Sequence, residues 1–199
     1  YEFGGRVPLA EALRILDQLC EGLAYAHQTT IHRDLKPQNI MIDSNNDVVI
    51  LDFGLGKLVD PESTMPSTLS LGTVHYQSPE QNCEPERVDG RTDIWSLGVI
   101  LYELLSGALP VGSYDALSSL DPGLSKRIDK IVSKCLRPRL EDRYRTVEDL
   151  RQDLRLIRRE SKGLRRNKAL GTAVVGAILT TVTWFGIQGT AMRRNYPPV

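Results

Sequence analysis

Cysteine is scarce in this sequence: Cys20, Cys83 and Cys135 lie far apart among 199 residues, and none forms a C-x-x-C pair. A disulfide framework and a zinc cage are thereby set aside, and a reducing compartment fits best. No internal repeat is present, which excludes solenoids and propellers. Net charge is missing too, with 25 basic and 25 acidic residues. That zero is a cancellation. Residues 1–154 hold 24 acids against 16 bases, whereas residues 155–199 hold 1 acid against 9 bases. An acidic domain is joined to a basic tail, so the whole-chain pI carries no functional meaning. The 41% hydrophobic and 25% charged residues are ordinary globular proportions and exclude a disordered or collagen-like polymer.

The tail accounts for its own charge. Residues 169–187 read ALGTAVVGAILTTVTWFGI, 19 residues without a charge or a proline. At ~1.5 Å per residue this makes ~28 Å of helix, close to the ~30 Å hydrocarbon core. A single membrane span is expected here. Its place near the C-terminus excludes a cleavable signal peptide. Seven bases (Arg155, Arg158, Arg159, Lys162, Arg165, Arg166 and Lys168) precede it, and two (Arg193 and Arg194) follow. The positive-inside rule then puts the N-terminal side in the cytoplasm, with the basic run against anionic lipid. Thr172, Gly176 and Thr180 line one face of the span, a small-residue stripe on which two copies could pair as a homodimer.

The remainder reads as helices around one short hairpin. Apolar residues at Leu9, Leu13, Leu16, Leu19, Leu23 and Ala26 mark an amphipathic helix. Two β-branched runs flank Ser44-Asn45-Asn46-Asp47 and predict a hairpin. Residues 53–90, rich in Ser and Thr and without periodicity, read as a long loop. Thr92 to Ser106 is apolar nearly all round and stops at Gly107, which predicts a buried central helix with a glycine C-cap. Ser125 to Leu136 is a second amphipathic helix. Thr146 opens a third, with Asp149 completing a variant capping box.

One constellation carries chemistry. His32-Arg33-Asp34-Leu35-Lys36-Pro37-Gln38-Asn39 falls between the first helix and the hairpin, and Asp52-Phe53-Gly54 follows the hairpin. A hairpin folds the chain back, so Asn39 at its entry and Asp52 at its exit come together. Two oxygen-bearing side chains there can share a hard cation such as Mg²⁺. Asp34 can meet a hydroxyl arriving from solvent, and Lys36 supplies a point charge for a transferring phosphoryl group.

Together these residues resemble the catalytic loop and magnesium motif of the eukaryotic-type Ser/Thr protein kinases. Further matches follow in order. Gly72-Thr73-Val74-His75-Tyr76-Gln77-Ser78-Pro79-Glu80 looks like the end of an activation segment. Asp93-Ile94-Trp95-Ser96-Leu97-Gly98 is similar to the start of the buried F helix. Asp142-Arg143-Tyr144-Arg145-Thr146 resembles the late segment whose arginine pairs with the Glu of the Pro-Glu motif.

The resemblance implies a large-lobe kinase fold over residues 1–158, mainly α with a short β-hairpin. A basic juxtamembrane segment (159–168), the transmembrane helix (169–187) and a short tail (188–199) would follow. It implies ATP and Mg²⁺ as cofactors and protein Ser/Thr hydroxyls as substrates, with no nucleic-acid partner. Asp34 would be the base; Lys36 would steady the γ-phosphate; Asn39 and Asp52 would hold magnesium. Thr73 would bridge Asp34 and Lys36, and Met41 would floor the adenine. His32 and Phe53 would stack, Asp93 would anchor the loop, and Trp95 and the Glu80–Arg143 pair would be architecture. His27 and His75 show no partner pattern and read as non-catalytic. Arg33 is a cationic handle for an activation-loop phosphate, with Thr68 and Ser70 the favoured acceptors among Ser63, Thr64, Ser67, Thr68 and Ser70.

Departures from the family pattern bear on activity. Only 31 residues precede His32, and they hold no G-x-G-x-x-G loop and no V-A-I-K strand. The small lobe is therefore expected to be absent from this chain, which leaves it inactive alone. The 17 residues from Ala108 to Leu124 stand where many kinases carry an extra helix that docks substrates. The alternative to a membrane-anchored bacterial receptor kinase, sited at the inner membrane, is a pseudokinase or interaction module.

Overall fold

The computed structural model describes residues 5–53 and 73–160. Leu9–Ala26 forms α1, which buries the stripe Ala12, Leu13, Ile15, Leu16, Leu19, Cys20 and Leu23. A 3₁₀ turn at Pro37–Asn39 leads into β1 (Ile40–Ile42), and β2 (Val48–Ile50) returns antiparallel to it. Each strand is three residues long, with Ile40 opposite Ile50 and Ile42 opposite Val48. The turn between them is built on Asp43, whose Oδ1 accepts the Asn45 and Asp47 amides at 2.8 Å. Asn46 there takes a left-handed φ of 65°, which asparagine tolerates.

Part of the stretch expected to be a long loop forms short helical turns. A 3₁₀ turn covers Thr73–Tyr76, α2 covers Pro79–Cys83, and a second 3₁₀ turn covers Pro85–Arg87. Ser78 and Gln81 form a reciprocal capping box around Pro79 at the first helical position. That Ser-Pro-x-Gln signal was present in the sequence. A single-turn helix has no periodicity, so a search by period passes over it.

The centre of the fold is α3 (Arg91–Ser106), in which nearly every residue from Thr92 to Leu105 is buried. Gly107 ends it with a φ of 76°, as a glycine C-cap requires. Around α3 lie α1, the single-turn helix α4 (Leu117–Leu120) and α5 (Lys126–Cys135). The α5 helix is capped by Ser125 and runs one residue shorter at each end than its apolar pattern suggested. A last helix, α6, spans 147–160 and opens on the expected box. Thr146 Oγ1 accepts the Asp149 amide and Asp149 Oδ2 accepts the Thr146 amide, both at 3.1 Å. Asp17 of α1 ties α6 down through Arg151 at 2.9 Å and Arg155 at 2.7 Å.

The closest approach of α3 and α5 is at Gly98, where an added Cβ would stand 2.5 Å from Cys135 Cβ. A Cβ cannot rotate out of the way. Gly98→Ala is therefore expected to destabilise the protein by about 1–3 kcal/mol, even though alanine favours helix by about 1 kcal/mol. Chemical denaturation reads this directly, and an unchanged midpoint would contradict the packing.

The chain divides into two units, Tyr1–Arg158 and Arg159–Val199. No helix among the described residues is long and apolar enough to cross a membrane. The span expected at 169–187, its Thr172-Gly176-Thr180 stripe and the candidate acceptors Ser63 to Ser70 lie outside the described residues.

Candidate active site

The site is assembled on a loop that the backbone would not adopt unaided. Arg33 has φ 66° and Asp52 has φ 56°, both left-handed and both without the freedom of glycine. Neighbouring side chains hold them there. The carboxylate of Asp93, fully buried at the start of α3, accepts the His32 amide at 2.9 Å and the Arg33 amide at 2.8 Å. From the other side, Gln81 Nε2 of α2 donates to the Arg33 carbonyl at 2.6 Å. Sequence reasoning did not single out Gln81. Its Oε1 caps α2 while its amide nitrogen clamps the loop, so one side chain couples the two segments.

His32 stitches the loop to the far end of the hairpin. Its Nε2 donates to the Leu51 carbonyl at 2.8 Å, and its Nδ1 accepts the Asp34 amide at 3.3 Å. An acceptor-only partner at one nitrogen and a donor at the other assign the Nε2–H tautomer. The ring also meets Phe53, with centroids 4.9 Å apart.

Around Asp34 the polar groups converge. Lys36 Nζ donates to Asp34 Oδ2 at 2.9 Å. Asn39 Nδ2 donates to the Asp34 carbonyl at 2.8 Å, which leaves Asn39 Oδ1 as the acceptor. The Leu51 amide donates to the Asn39 carbonyl at 2.8 Å, so Asp52 lies one residue beyond the partner of Asn39. Asp52 is exposed. An amide oxygen and an exposed carboxylate are hard donors of the kind Mg²⁺ takes, one or two from protein and the rest from phosphate and water. Asn39 and Asp52 thus fit that ion; no cluster of three or more His, Cys, Asp or Glu among the described residues could hold a metal by itself. Met41 and Val49, paired across the hairpin, present an exposed apolar face. The bridging role expected of the Thr73 side chain falls outside the described residues, and His75 is exposed.

His27 departs from its expected lack of a partner. Its Nε2 donates to Asp93 Oδ2 at 2.8 Å across 66 residues, a pairing that no local pattern could signal.

A second buried cluster braces the site from below. Arg143 grips Glu80 with two hydrogen bonds of 2.7 and 2.8 Å, and also donates to the carbonyls of Arg137, Pro138 and Arg91. Its guanidinium carbon lies 5.0 Å from the Trp95 ring centroid. Trp95 Nε1 is the one buried side-chain polar atom left unpaired among the described residues. Burial by itself would raise the Glu80 carboxyl, but hydrogen bonds from Arg143, a backbone amide, Ser78 and Thr92 outweigh it and hold it at about 2. A carboxyl depressed in the folded state contributes stability above its ordinary value of 4.5, and that stability is lost as pH falls toward 2. Between pH 6 and pH 3 the loss should amount to about 2 kcal/mol. Denaturant midpoints at pH 6 and pH 3 measure it, and Glu80→Gln should show the smaller drop; equal drops would argue against this pair.

With this geometry in hand, likeness to known proteins becomes informative. The protein kinase domain profile matches residues 2–155. The chain belongs to the protein kinase family. Among curated kinases, the serine/threonine-protein kinase PknB of Mycobacterium leprae is 36% identical over 166 residues, covering 75% of this chain and 26% of that protein. PrkC of Bacillus subtilis is 32% identical over 160 residues, covering 73% and 24%. The chain thus spans about a quarter of the length of these relatives. The solved kinase domain of Mycobacterium tuberculosis PknI superimposes with a TM-score of 0.59 at 28% identity, covering 76% of this chain and 56% of that one. This chain corresponds to part of a kinase domain.

Proposed function

We propose that this chain supplies the large lobe of a Ser/Thr protein kinase that transfers the ATP γ-phosphate to protein serine and threonine hydroxyls. The convergence of Lys36 and Asn39 on Asp34 carries this reading. Asp34 accepts and orients the proton of the incoming hydroxyl. Lys36 faces the moving phosphoryl charge, and the Asp34 carboxylate keeps its ammonium aimed. Asn39 and Asp52 would hold magnesium, which when bound would neutralise phosphate charge. Met41 and Val49 lie under the adenine. Nucleotide positioning supplies much of phosphoryl-transfer catalysis, and no glycine-rich loop precedes His32 here, so the isolated chain should be inactive.

We further propose that the chain, which spans about a quarter of its relatives' length, is part of a longer parent kinase anchored by one span at 169–187 in a bacterial inner membrane, kinase side in the cytoplasm. The excess of basic residues before the span supports this orientation. Pairing of spans would let one copy phosphorylate Thr68 or Ser70 of another. The deciding experiment is transfer from labelled ATP to a Ser/Thr peptide by the full-length parent. Activity should require Mg²⁺, and Asp52→Asn should raise the Mg²⁺ concentration needed by tenfold or more. Absence of transfer would favour a non-catalytic interaction module, whereas an unchanged Mg²⁺ requirement in Asp52→Asn would remove Asp52 from the magnesium site.

A further inference from the structure

Away from the catalytic loop, a cleft of about 470 Å³ opens between the end of α1, the turn into α3 and the start of α6. Small molecules bind in clefts of roughly 300–1,000 Å³. Two acidic and two basic side chains line it. Asp89 is taken up by Arg91, whose Nη2 lies 2.7 Å from it, and Glu148 pairs with Arg151 at 3.6 Å. Arg145, on the cleft wall, has no ion-pair or hydrogen-bond partner among the described residues. His27 lines the same cleft. Its Nε2 is committed to Asp93, whereas its Nδ1 is unpartnered among the described residues and is not sealed from solvent. Gly90 leaves that nitrogen uncovered, because a Cβ there would stand 2.8 Å from it.

A guanidinium fork and an open imidazole nitrogen line one cleft, and each is a group that can bind an oxygen of a phosphate or carboxylate. We propose that this cleft binds a small oxyanion and that its occupancy is felt at the catalytic loop through His27. An oxygen that carries no proton of its own can bind Nδ1 only where that nitrogen holds a proton. The ring then carries a positive charge, and its 2.8 Å contact with Asp93 becomes charge-assisted. Asp93 is the carboxylate that receives the His32 and Arg33 amides and holds Arg33 at φ 66°. Firmer seating of Asp93 therefore firms the backbone just before Asp34. His27 is a positioning residue, since it touches neither nucleotide nor substrate hydroxyl. The link to catalysis rests on the kinase reading given above; the binding site does not.

The test uses the full-length parent, ¹⁵N-labelled at histidine and arginine, titrated with inorganic phosphate and separately with acetate, chloride holding ionic strength constant. A saturable shift of His27 Nδ1 is expected in at least one arm, and the stronger arm identifies the anion class. Arg145→Gln should weaken that binding at least tenfold. No saturable shift in either arm, or equal affinity in Arg145→Gln, overturns the site. Hydrogen exchange at the Arg33 amide reads the link without any need for activity: the saturating anion should slow it in the wild type and not in His27→Gln. In turnover, the anion should change kcat while KM for ATP stays constant. An unaltered Arg33 exchange rate beside an intact His27 shift overturns the link, whereas a parent with slowed exchange and no phosphotransfer overturns the kinase reading alone.

Discussion

Asp34→Asn in the full-length parent should lower kcat by about 10²–10⁴-fold while leaving KM for ATP nearly unchanged. The substitution keeps the size of the side chain and its place on the loop, so the Asn39 bond to the Asp34 carbonyl survives. What it removes is the carboxylate that holds Lys36 Nζ at 2.9 Å and that is proposed to accept the substrate proton. On the proposed reading both losses act where charge moves during transfer, away from the exposed Met41–Val49 face proposed to lie under the adenine. A steady-state comparison on one peptide substrate checks this. A parallel rise in KM with kcat retained would mean that Asp34 serves binding rather than proton transfer, and would undo the assignment.

Arg143→Met should be the most damaging single change to stability, at about 3–5 kcal/mol. Methionine fills much of the volume but strands the Glu80 carboxylate, whose residue is only 6% exposed. It also leaves the carbonyls of Arg137, Pro138 and Arg91 without their donor. Whole domains are stable by about 5–15 kcal/mol, so such a loss approaches unfolding. Changing Glu80 to Met in the same chain should recover part of it, because no buried charge is then unpaired. Urea unfolding of the single and double variants decides the matter. A single variant within 1 kcal/mol of wild type would show that the pair is not the brace described here.

Much of this protein is legible from local pattern. The α1 stripe from Leu9 to Leu23, the all-apolar α3 ending at Gly107, the hairpin turn and the Thr146–Asp149 box each follow from residues close together in sequence. Those signals are local because helix period, cap chemistry and turn conformation are satisfied within a few residues. The same holds for the candidate catalytic set, since Asp34, Lys36 and Asn39 share one loop and Asp52 is returned to it by a short hairpin. Tertiary structure decided what holds that loop in its strained shape. Arg33 at φ 66° rests on Asp93, which lies 60 residues away, and on Gln81, 48 residues away. His27 meets Asp93 only because α1 ends beside the start of α3. Asp93 was expected as the anchor only through the resemblance of its motif, and neither spacing nor composition marks Gln81 or His27: a hydrogen bond across a fold depends on where packed helices bring a side chain, and burial of α3 is what brings Asp93 there.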